Sequence, residues 1–207
     1  MKNNIIIDFG RKILSDNPEI IKSRNIINIY ELKFYREIEK IIKEEIEIKL
    51  LENKYHVIEE YIKNNIKSLV EILEIDIKIK ERINKNNIEI VHRYHKGEDG
   101  YNLGWHFDNK KLIIQNIKNK DKIHNLEIIG IVDNKIYALY TKLEKPAYTM
   151  IIYFDTYEKD FKGGELELIE YIYFPKKGDL FIFDSRELHK VNYLKSGIRR
   201  CILIKIY

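Results

Sequence analysis

Apolar residues recur at helical spacing through the first third of the chain. Between Glu31 and Glu52, and again between Tyr55 and Glu74, they lie three or four positions apart with charged residues between them. Such a stripe gathers apolar side chains on one face of a helix. We therefore predict two amphipathic helices that pack against a sheet. Asn17-Pro18 predicts the start of a shorter helix, because proline fits the first helical position.

The period of the pattern changes at Ile75, where apolar and charged residues begin to alternate. Alternation predicts a strand over 75–80, and a second strand is predicted over 88–94. Strands 126–132 and 135–143 flank Asp133-Asn134, a link suited to a hairpin. The run 148–154 is almost continuously apolar, which is typical of a strand buried on both faces. The remaining predicted strands are 165–169, 171–174, 180–183 and 198–206, with a turn at 175–178.

Helices followed by many short strands indicate an α+β protein that is mainly β. Strands at this spacing favour a jelly-roll core buttressed by the two N-terminal helices. The 207 residues suffice for one sizeable core and are few for two, so we expect a single domain. In this division residues 1–80 form the helical buttress and residues 81–207 form the core.

Composition and charge restrict the location and the partners. The chain has 37 basic and 33 acidic residues, a near balance that does not favour nucleic acid as a partner. The single Cys201 excludes an internal disulfide, fits a reducing compartment and is expected to be a buried small apolar side chain. No apolar stretch is long enough to cross a bilayer, and the N-terminal apolar run is too short for a signal peptide. We therefore expect a cytoplasmic protein with no membrane partner.

The sequence Gly-Trp-His-Phe-Asp at 104–108 carries the first candidate chemistry. Side chains two positions apart on a strand point to the same face, so His106 and Asp108 can reach one point. An imidazole and a carboxylate are two thirds of a 2-His-1-carboxylate site, which leaves positions open on a ferrous ion. The third ligand would have to come from a distant strand, and His189 is the candidate.

Further motifs follow this pair in a fixed order. They are Phe161-Lys162-Gly163-Gly164-Glu165-Leu166, Pro175-x-x-Gly178-Asp179-x-x-x-Phe183, His189-x-Val191 and Gly197-x-Arg199. With His106-x-Asp108, the set resembles the Fe(II)/2-oxoglutarate-dependent dioxygenases, specifically their prolyl-4-hydroxylase-like branch, over residues 88–207. The resemblance implies a double-stranded β-helix whose metal ligands are His106, Asp108 and His189. It also implies Fe(II), 2-oxoglutarate and O2 as cofactor and co-substrates, with ascorbate as a stimulant.

The same resemblance assigns residues to 2-oxoglutarate. Arg199 matches the position that binds the distal carboxylate, which a planar guanidinium can hold with two hydrogen bonds. Arg200 is next to it on the opposite face of the strand, and the Gly197-x-Arg pattern favours Arg199. Related enzymes have a tyrosine on the strand before the iron strand that hydrogen-bonds 2-oxoglutarate. Tyr94 matches it best and Tyr101 is the alternative.

The reaction implied by the resemblance is hydroxylation of an unactivated C–H bond with release of succinate and CO2. Asp108 argues against halogenation, since halogenating relatives have a small residue there, whereas desaturation and ring closure use the same ligands and stay open. The branch suggests an amino-acid side chain in a free amino acid or peptide, with another small molecule or nucleic acid as alternatives. A non-catalytic binding module is the competing class, as is a partner protein that uses its two helices as an interface. No oligomeric state is indicated.

Residues around these motifs are assigned to packing or to a cover. We expect Trp105 and Phe107 to pack away from the ligands, Gly163-Gly164 to form a tight turn or bulge, and His56 to lie on a helix surface. His92 shares strand parity with Tyr94 and is expected to line the barrel. His95 is expected in a loop, with contact to the substrate as the alternative. Residues 109–145 are longer than the branch requires, and we interpret them as an insertion that covers the substrate.

Overall fold

The computed structural model describes residues 2–43, 48–73, 75–116, 126–141 and 146–207. The helices are α1 Lys2–Asp16, α2 Glu19–Lys22, α3 Lys33–Lys43, α4 Ile48–Ile72 and α5 Ile77–Arg82, with a 3-10 helix at Gly97–Asp99. The first strands are β1 Asn25–Asn28, β2 Ile88–Lys96, β3 Leu103–His106, β4 Lys110–Asn116, β5 Leu126–Val132, β6 Lys135–Thr141 and β7 Tyr148–Tyr153. The others are β8 Phe161–Gly163, β9 Leu166–Leu168, β10 Tyr171–Tyr173, β11 Asp179–Asp184, β12 His189–Val191 and β13 Leu194–Ile206.

Two antiparallel sheets face each other and form the jelly roll. The major sheet has the order β1-β11-β7-β13-β2, with β8 also paired to β13, and the minor sheet has the order β10-β9-β12-β3. Inward residues of both sheets pack together into one apolar cluster. It contains Ile151, Tyr153, Phe181, Phe183 and Cys201 from the major sheet and Leu166, Leu168, Tyr173 and Val191 from the minor sheet. The predicted jelly-roll class is confirmed.

The helices cover the outer face of the major sheet. Residues of α3 and α4 such as Ile38, Ile62 and Leu69 are fully buried in one cluster with outward residues of the major sheet, among them Ile152 and Ile202. This is the buttress that the helical periodicity predicts, since one apolar stripe packs on one apolar sheet face. None of the helices in the described residues is both long and apolar enough to span a membrane.

Helix boundaries differ from the predicted ones. The stretch predicted as a helix over 31–52 contains α3, which ends at Lys43, and the start of α4 at Ile48, earlier than the predicted Tyr55. Residues 44–47 and 74 lie outside the described residues. The short helix at Asn17-Pro18 is confirmed as α2, whereas α1 and β1 have no counterpart in the predictions. Because β1 pairs with β11, the region predicted as a helical buttress also supplies a strand to the major sheet.

The strand predicted over 75–80 is wrong, because this segment contains helix α5. The Asp76 side chain accepts a hydrogen bond from the Lys78 backbone N–H at 2.7 Å, which satisfies a free donor in the first turn. Ile79 and Ile83, four residues apart, are the buried residues, while Ile77 is 65% exposed. Over so short a segment, a helix with an N-cap and one buried face can carry the alternation expected of a strand.

Most predicted strands of the core are confirmed. The strands predicted over 88–94, 148–154, 165–169, 171–174, 180–183 and 198–206 correspond to β2, β7, β9, β10, β11 and β13. Strand β7 is buried along nearly its whole length, as its apolar run predicts. The bend at Gly163 and Gly164 is also confirmed, since both residues have positive φ, 73° and 70°, beside a bulge in β13.

The segment predicted as an insertion folds into a third sheet. Its strand order is β4-β6-β5, and the predicted hairpin is confirmed, with Asp133 and Asn134 at φ 50° and 59° between β5 and β6. Both central residues with positive φ are typical of a type I′ turn. The parts of the insertion at 117–125, which include His124, and at 142–145 lie outside the described residues.

Candidate metal centre

The three predicted ligands converge between the two sheets. His106 ends β3 and His189 begins β12, and the two residues are direct partners in the minor sheet. Asp108 follows His106 by two positions, and the ligand atoms of all three residues lie within 4.8 Å of one another. His106 Nε2 is 3.9 Å from Asp108 Oδ1, and His189 Nε2 is 3.8 Å from Asp108 Oδ2. A strand pairing and a two-residue spacing thus bring together groups separated by eighty residues of chain.

Both imidazole rings are held by backbone carbonyls. His106 Nδ1 lies 2.8 Å from the Gly104 oxygen, and His189 Nδ1 lies 2.9 Å from the Glu187 oxygen. A carbonyl can only accept, so each Nδ1 carries the proton and each Nε2 presents a lone pair towards Asp108. Two such nitrogens and one carboxylate fit the donor set of a ferrous site with open positions.

Asp108 is a buried carboxylate kept in its ionised form. Burial acts to raise the pKa of Asp108, but His189, the Thr149 hydroxyl and His106 together hold that pKa below its usual value. Thr149 Oγ1 donates to Asp108 Oδ2 at 2.5 Å and is 3.1 Å from Ser185 Oγ. Sequence reasoning missed Thr149, although a fully buried threonine within the apolar run of β7 is a signal that it has a polar partner.

Arg199 lies deep inside the jelly roll, and none of the described residues supplies a counter-charge to it. It is 2% exposed, its Nη1 donates to Cys201 Sγ at 3.4 Å, and its guanidinium carbon is 5.4 Å from the Tyr153 ring centroid. Among the residues that the structure describes, its Nε has no hydrogen-bond partner and no carboxylate forms an ion pair with it. A buried unpaired cation is unfavourable, so this position suits an anionic ligand. Gly164 leaves space beside it, because a Cβ there would be 3.0 Å from Arg199 Cδ.

The pairing of β2 with β13 decides which side chains surround Arg199. His95 is the direct partner of Arg199, whereas Tyr94 is the partner of Arg200 on the face that packs against the helices. The His95 ring stacks on Tyr101 with centroids 3.4 Å apart. Tyr94, predicted to contact 2-oxoglutarate, therefore lies on the face of β2 opposite to Arg199, because side chains alternate along the strand.

Two further histidine assignments change for the same reason. His92, expected to line the barrel, faces the helices and packs on Tyr55 with ring centroids 4.2 Å apart. His95, expected in a loop with substrate contact as the alternative, lies in β2 and is the partner of Arg199 on its inward face. Only the register with β13 identifies it, because parity along one strand does not show which face is inside. His56 is exposed on α4, as predicted.

The groups beside Arg199 are neutral hydrogen-bonding partners. Burial, with Arg199 and Arg93, lowers the pKa of His95 to about 4, so the imidazole is uncharged at neutral pH. Burial raises the pKa of the Tyr101 hydroxyl and also that of the Cys201 thiol. Apart from Arg93, whose charge also acts on His95, the groups beside Arg199 are therefore uncharged, and a bound carboxylate can neutralise the Arg199 cation.

The aromatic residues that flank the ligands are packing residues, as predicted. Phe107 is 3% exposed and meets Phe9 of α1 edge to face, with ring centroids 6.2 Å apart. Trp105 packs against the same cluster, and Lys190 Nζ lies 4.8 Å from its ring centroid. Both rings thus attach β3 to its surroundings and leave His106 and Asp108 facing the opposite side.

Comparison with known proteins places the chain in a family. A family model described as the 2OG-Fe(II) oxygenase superfamily matches residues 90–207, which is more than half of the sequence. The chain belongs to this superfamily. It is therefore an enzyme of the Fe(II)- and 2-oxoglutarate-dependent dioxygenase class, with iron and 2-oxoglutarate as its cofactors. A comparison with curated proteins gives no match.

Solved structures share the fold at low sequence identity. The 2OG complex of the viral collagen prolyl hydroxylase vCPH from Paramecium Bursaria Chlorella virus-1 is 16% identical, with a TM-score of 0.51 over 89% of this chain and 96% of that one. A prolyl 4-hydroxylase from Phytophthora capsici is 14% identical, with a TM-score of 0.50 over 98% of this chain and 64% of that one. At these identities the likeness shows a shared fold.

Proposed function

We propose that this enzyme hydroxylates an amino-acid side chain, in a peptide or a free amino acid, with His106, Asp108 and His189 as its iron ligands. The observation that carries the proposal is the convergence of three ligand atoms within 4.8 Å, with each histidine held at Nδ1 by a carbonyl. A site formed by chance would not require both rings to present the same nitrogen. Anchoring of the second ring nitrogen is the usual arrangement of metal-binding histidines.

Different residues of the chain bind the two ends of 2-oxoglutarate. Arg199 binds the distal carboxylate of 2-oxoglutarate, and Tyr101 and His95, on the same side of the sheet, assist as uncharged hydrogen-bonding groups. This fixes the direction of the molecule, so that its 2-oxoacid end points to the metal ligands. Ferrous iron, when bound, supplies dioxygen activation coupled to the decarboxylation of 2-oxoglutarate to succinate.

Asp108 controls what else can occupy the metal. Ionised and held by Thr149, it fills one position permanently and provides the negative charge that a divalent cation requires. Asp108 would occupy the coordination position that a halide needs in halogenating relatives, which supports hydroxylation over halogenation. The burial of Asp108 and His189 also limits the access of water to the reacting groups.

A peptide substrate is supported by the surface beside the ligands. Tyr171, Leu168, His189 and His106 form one cross-strand row on the inner face of the minor sheet, and Tyr171 is 40% exposed at its edge. It lies two strands from His189, about 10 Å away. An exposed aromatic ring at that distance can pack against a neighbouring residue of an extended chain. The two prolyl hydroxylases named above make proline-containing peptides the first substrates to examine.

Succinate formation against a panel of substrates tests this function. The panel contains proline-containing peptides, other short peptides and free amino acids, each incubated with Fe(II), 2-oxoglutarate and O2. One class should stimulate succinate release in proportion to a product heavier by one oxygen atom, and His189→Ala should abolish both signals. Succinate release that no peptide or amino acid stimulates would contradict the proposed substrate class.

We further propose that the insertion 109–145 covers the substrate site and selects the substrate. Its hairpin β5–β6 forms a sheet separate from the two sheets of the jelly roll, so it is not needed to complete the core. Deleting the hairpin should spare uncoupled 2-oxoglutarate turnover and remove productive hydroxylation, whereas equal loss of both would argue against selection. The division into residues 1–80 and 81–207 within one domain, and the cytoplasmic location, stay predictions.

A further inference from the structure

The turn that precedes His189 is held by the N-terminal segment. Glu187 and Leu188 lie between β11 and β12, and their side chains are 0% and 1% exposed. Arg24 Nε donates to Glu187 Oε2 at 2.8 Å, and Arg24 Nη2 donates to Glu187 Oε1. Leu188 packs in one cluster with Ile6 of α1. Two consecutive residues of the turn are therefore fixed by parts of the chain that come before the jelly-roll core.

Glu187 connects this contact to the metal ligands. Its side chain binds Arg24, and its backbone oxygen accepts the Nδ1 proton of His189 at 2.9 Å. The Glu187 backbone N–H in turn donates to the backbone oxygen of Asp184 at 2.9 Å. The position of the carbonyl that sets the tautomer and rotation of His189 thus depends on a residue held through its side chain by Arg24.

The backbone next to Arg24 is held by strand pairing. Asn25, directly after Arg24, begins β1 and pairs with Ile182 of β11. Strand β11 leads into the turn that carries Glu187, so the ion pair closes a short loop of contacts from β1 through β11 to the turn. The forked guanidinium fixes the carboxylate at two points, which a single-point cation cannot do.

We propose that Arg24 is a positioning residue of the metal site, acting through Glu187 on His189. The inference rests on the proposed role of His189 as an iron ligand. Groups that orient metal-binding histidines through the second ring nitrogen typically change metal affinity by about 10- to 100-fold when they are removed. Arg24 is one step further away, and the rigidity of the paired carboxylate is what transmits its effect.

Cobalt(II) titration of the full chain without O2 tests the proposal, because its visible d–d spectrum reports on ligand geometry independently of turnover. The main variant is the double substitution Arg24→Met and Glu187→Met. Replacing both members of a buried ion pair by apolar groups is often neutral for stability, so its thermal midpoint should stay near that of the wild type. Its cobalt dissociation constant should rise about 10-fold and its spectrum should change.

Two companion variants separate positioning from general effects on folding. Arg24→Lys keeps the charge but loses the fork, and it should weaken cobalt binding several-fold with little change in thermal midpoint. Arg186→Met is the matched control, because Arg186 neighbours Glu187 but its side chain binds the Asp184 carboxylate, with Nη2 2.7 Å from Oδ2. It should leave the cobalt affinity and spectrum unchanged.

The outcomes distinguish this inference from the proposed function. Wild-type cobalt affinity and spectrum in both Arg24→Lys and the double variant would overturn the positioning role and leave the metal site intact. If the double variant does not fold, unchanged affinity in Arg24→Lys alone would overturn it. If His189→Ala binds cobalt as tightly as the wild type does, the proposed ligand set and this inference are both overturned.

Discussion

Arg199 and Arg200 are consecutive residues of β13 with opposite surroundings. On the helix-facing side, Arg200 donates from Nε and Nη2 to the Asp155 carboxylate, and its backbone N–H donates to the same carboxylate at 2.7 Å. On the inner side, Arg199 is more deeply buried yet has no ion pair with any described carboxylate. One arginine completes the fold, and the other is left with capacity to bind an anion.

The difference shows how a fold can reserve a charge for a ligand. An unpaired buried cation destabilises the folded state, whereas a buried pair with good geometry is close to neutral. A bound carboxylate would neutralise the Arg199 charge and so stabilise the folded state. Each prediction below compares a residue on the Arg199 side with one on the Arg200 side.

The largest expected effect is on 2-oxoglutarate affinity in Arg199→Met. Loss of a buried charge-assisted contact should weaken binding about 100-fold, measured by calorimetry on the manganese-loaded enzyme without O2. The thermal midpoint should stay the same or rise, because an unpaired buried charge is removed. Unchanged affinity would show that another group binds the distal carboxylate.

Arg200→Met should produce the converse result. It leaves the 2% exposed Asp155 carboxylate without its partner, which should lower the free energy of unfolding by about 2 kcal/mol in urea denaturation. The affinity for 2-oxoglutarate should remain within about twofold of the wild type. A large loss of affinity in a folded Arg200→Met variant would mean that the two faces are not independent.

The two tyrosines provide a matched pair of smaller changes. Tyr101→Phe should weaken 2-oxoglutarate binding about fivefold to tenfold, because one hydrogen bond to a charged group is lost beside Arg199. Tyr94→Phe should leave the affinity unchanged, since Tyr94 lies opposite Arg200. The reverse order of effects would restore the original assignment of Tyr94 and contradict the register of β2 with β13.

The smallest effect concerns two histidines on the two faces of β2. Burial lowers the pKa of His92 to about 4, and burial together with Arg199 and Arg93 lowers the pKa of His95 to about 4. Below about pH 6.5 the unfolded chain binds protons that the folded chain excludes, so stability should fall as the pH drops from about 6.5 to 4. Replacing either histidine by glutamine should reduce the loss of unfolding free energy between these pH values. The reduction should be under about 1 kcal/mol, because both side chains are partly exposed to solvent.

Arg199 also makes the two histidines distinguishable. In Arg199→Met the pKa of His95 should move towards its usual value, because a neighbouring positive charge is removed, while the pKa of His92 should not change. NMR titration of the imidazole resonances measures both values in one sample. Equal shifts at the two positions would indicate a general change in the fold and not a local effect of the charge.

The sequence allowed prediction of the features that depend on short spacings. His106 and Asp108 share a face because they are two residues apart on a strand, and Arg199 and Arg200 separate because they are adjacent. The face on which Tyr94 lies could not be predicted, because it depends on the pairing of β2 with β13, which spans more than a hundred residues. The N-terminal contribution was missed as well, because the Arg24–Glu187 pair joins residues 163 positions apart.

The most direct test of the account is anaerobic addition of Fe(II) and then 2-oxoglutarate to the wild type, to His189→Ala and to Arg199→Met. We expect a weak visible charge-transfer band in the wild type, no band in His189→Ala, and a band in Arg199→Met only at about 100-fold higher 2-oxoglutarate. A band of wild-type strength in His189→Ala, or no band in the folded wild type, would contradict the assignment of His106, Asp108 and His189 as the iron ligands.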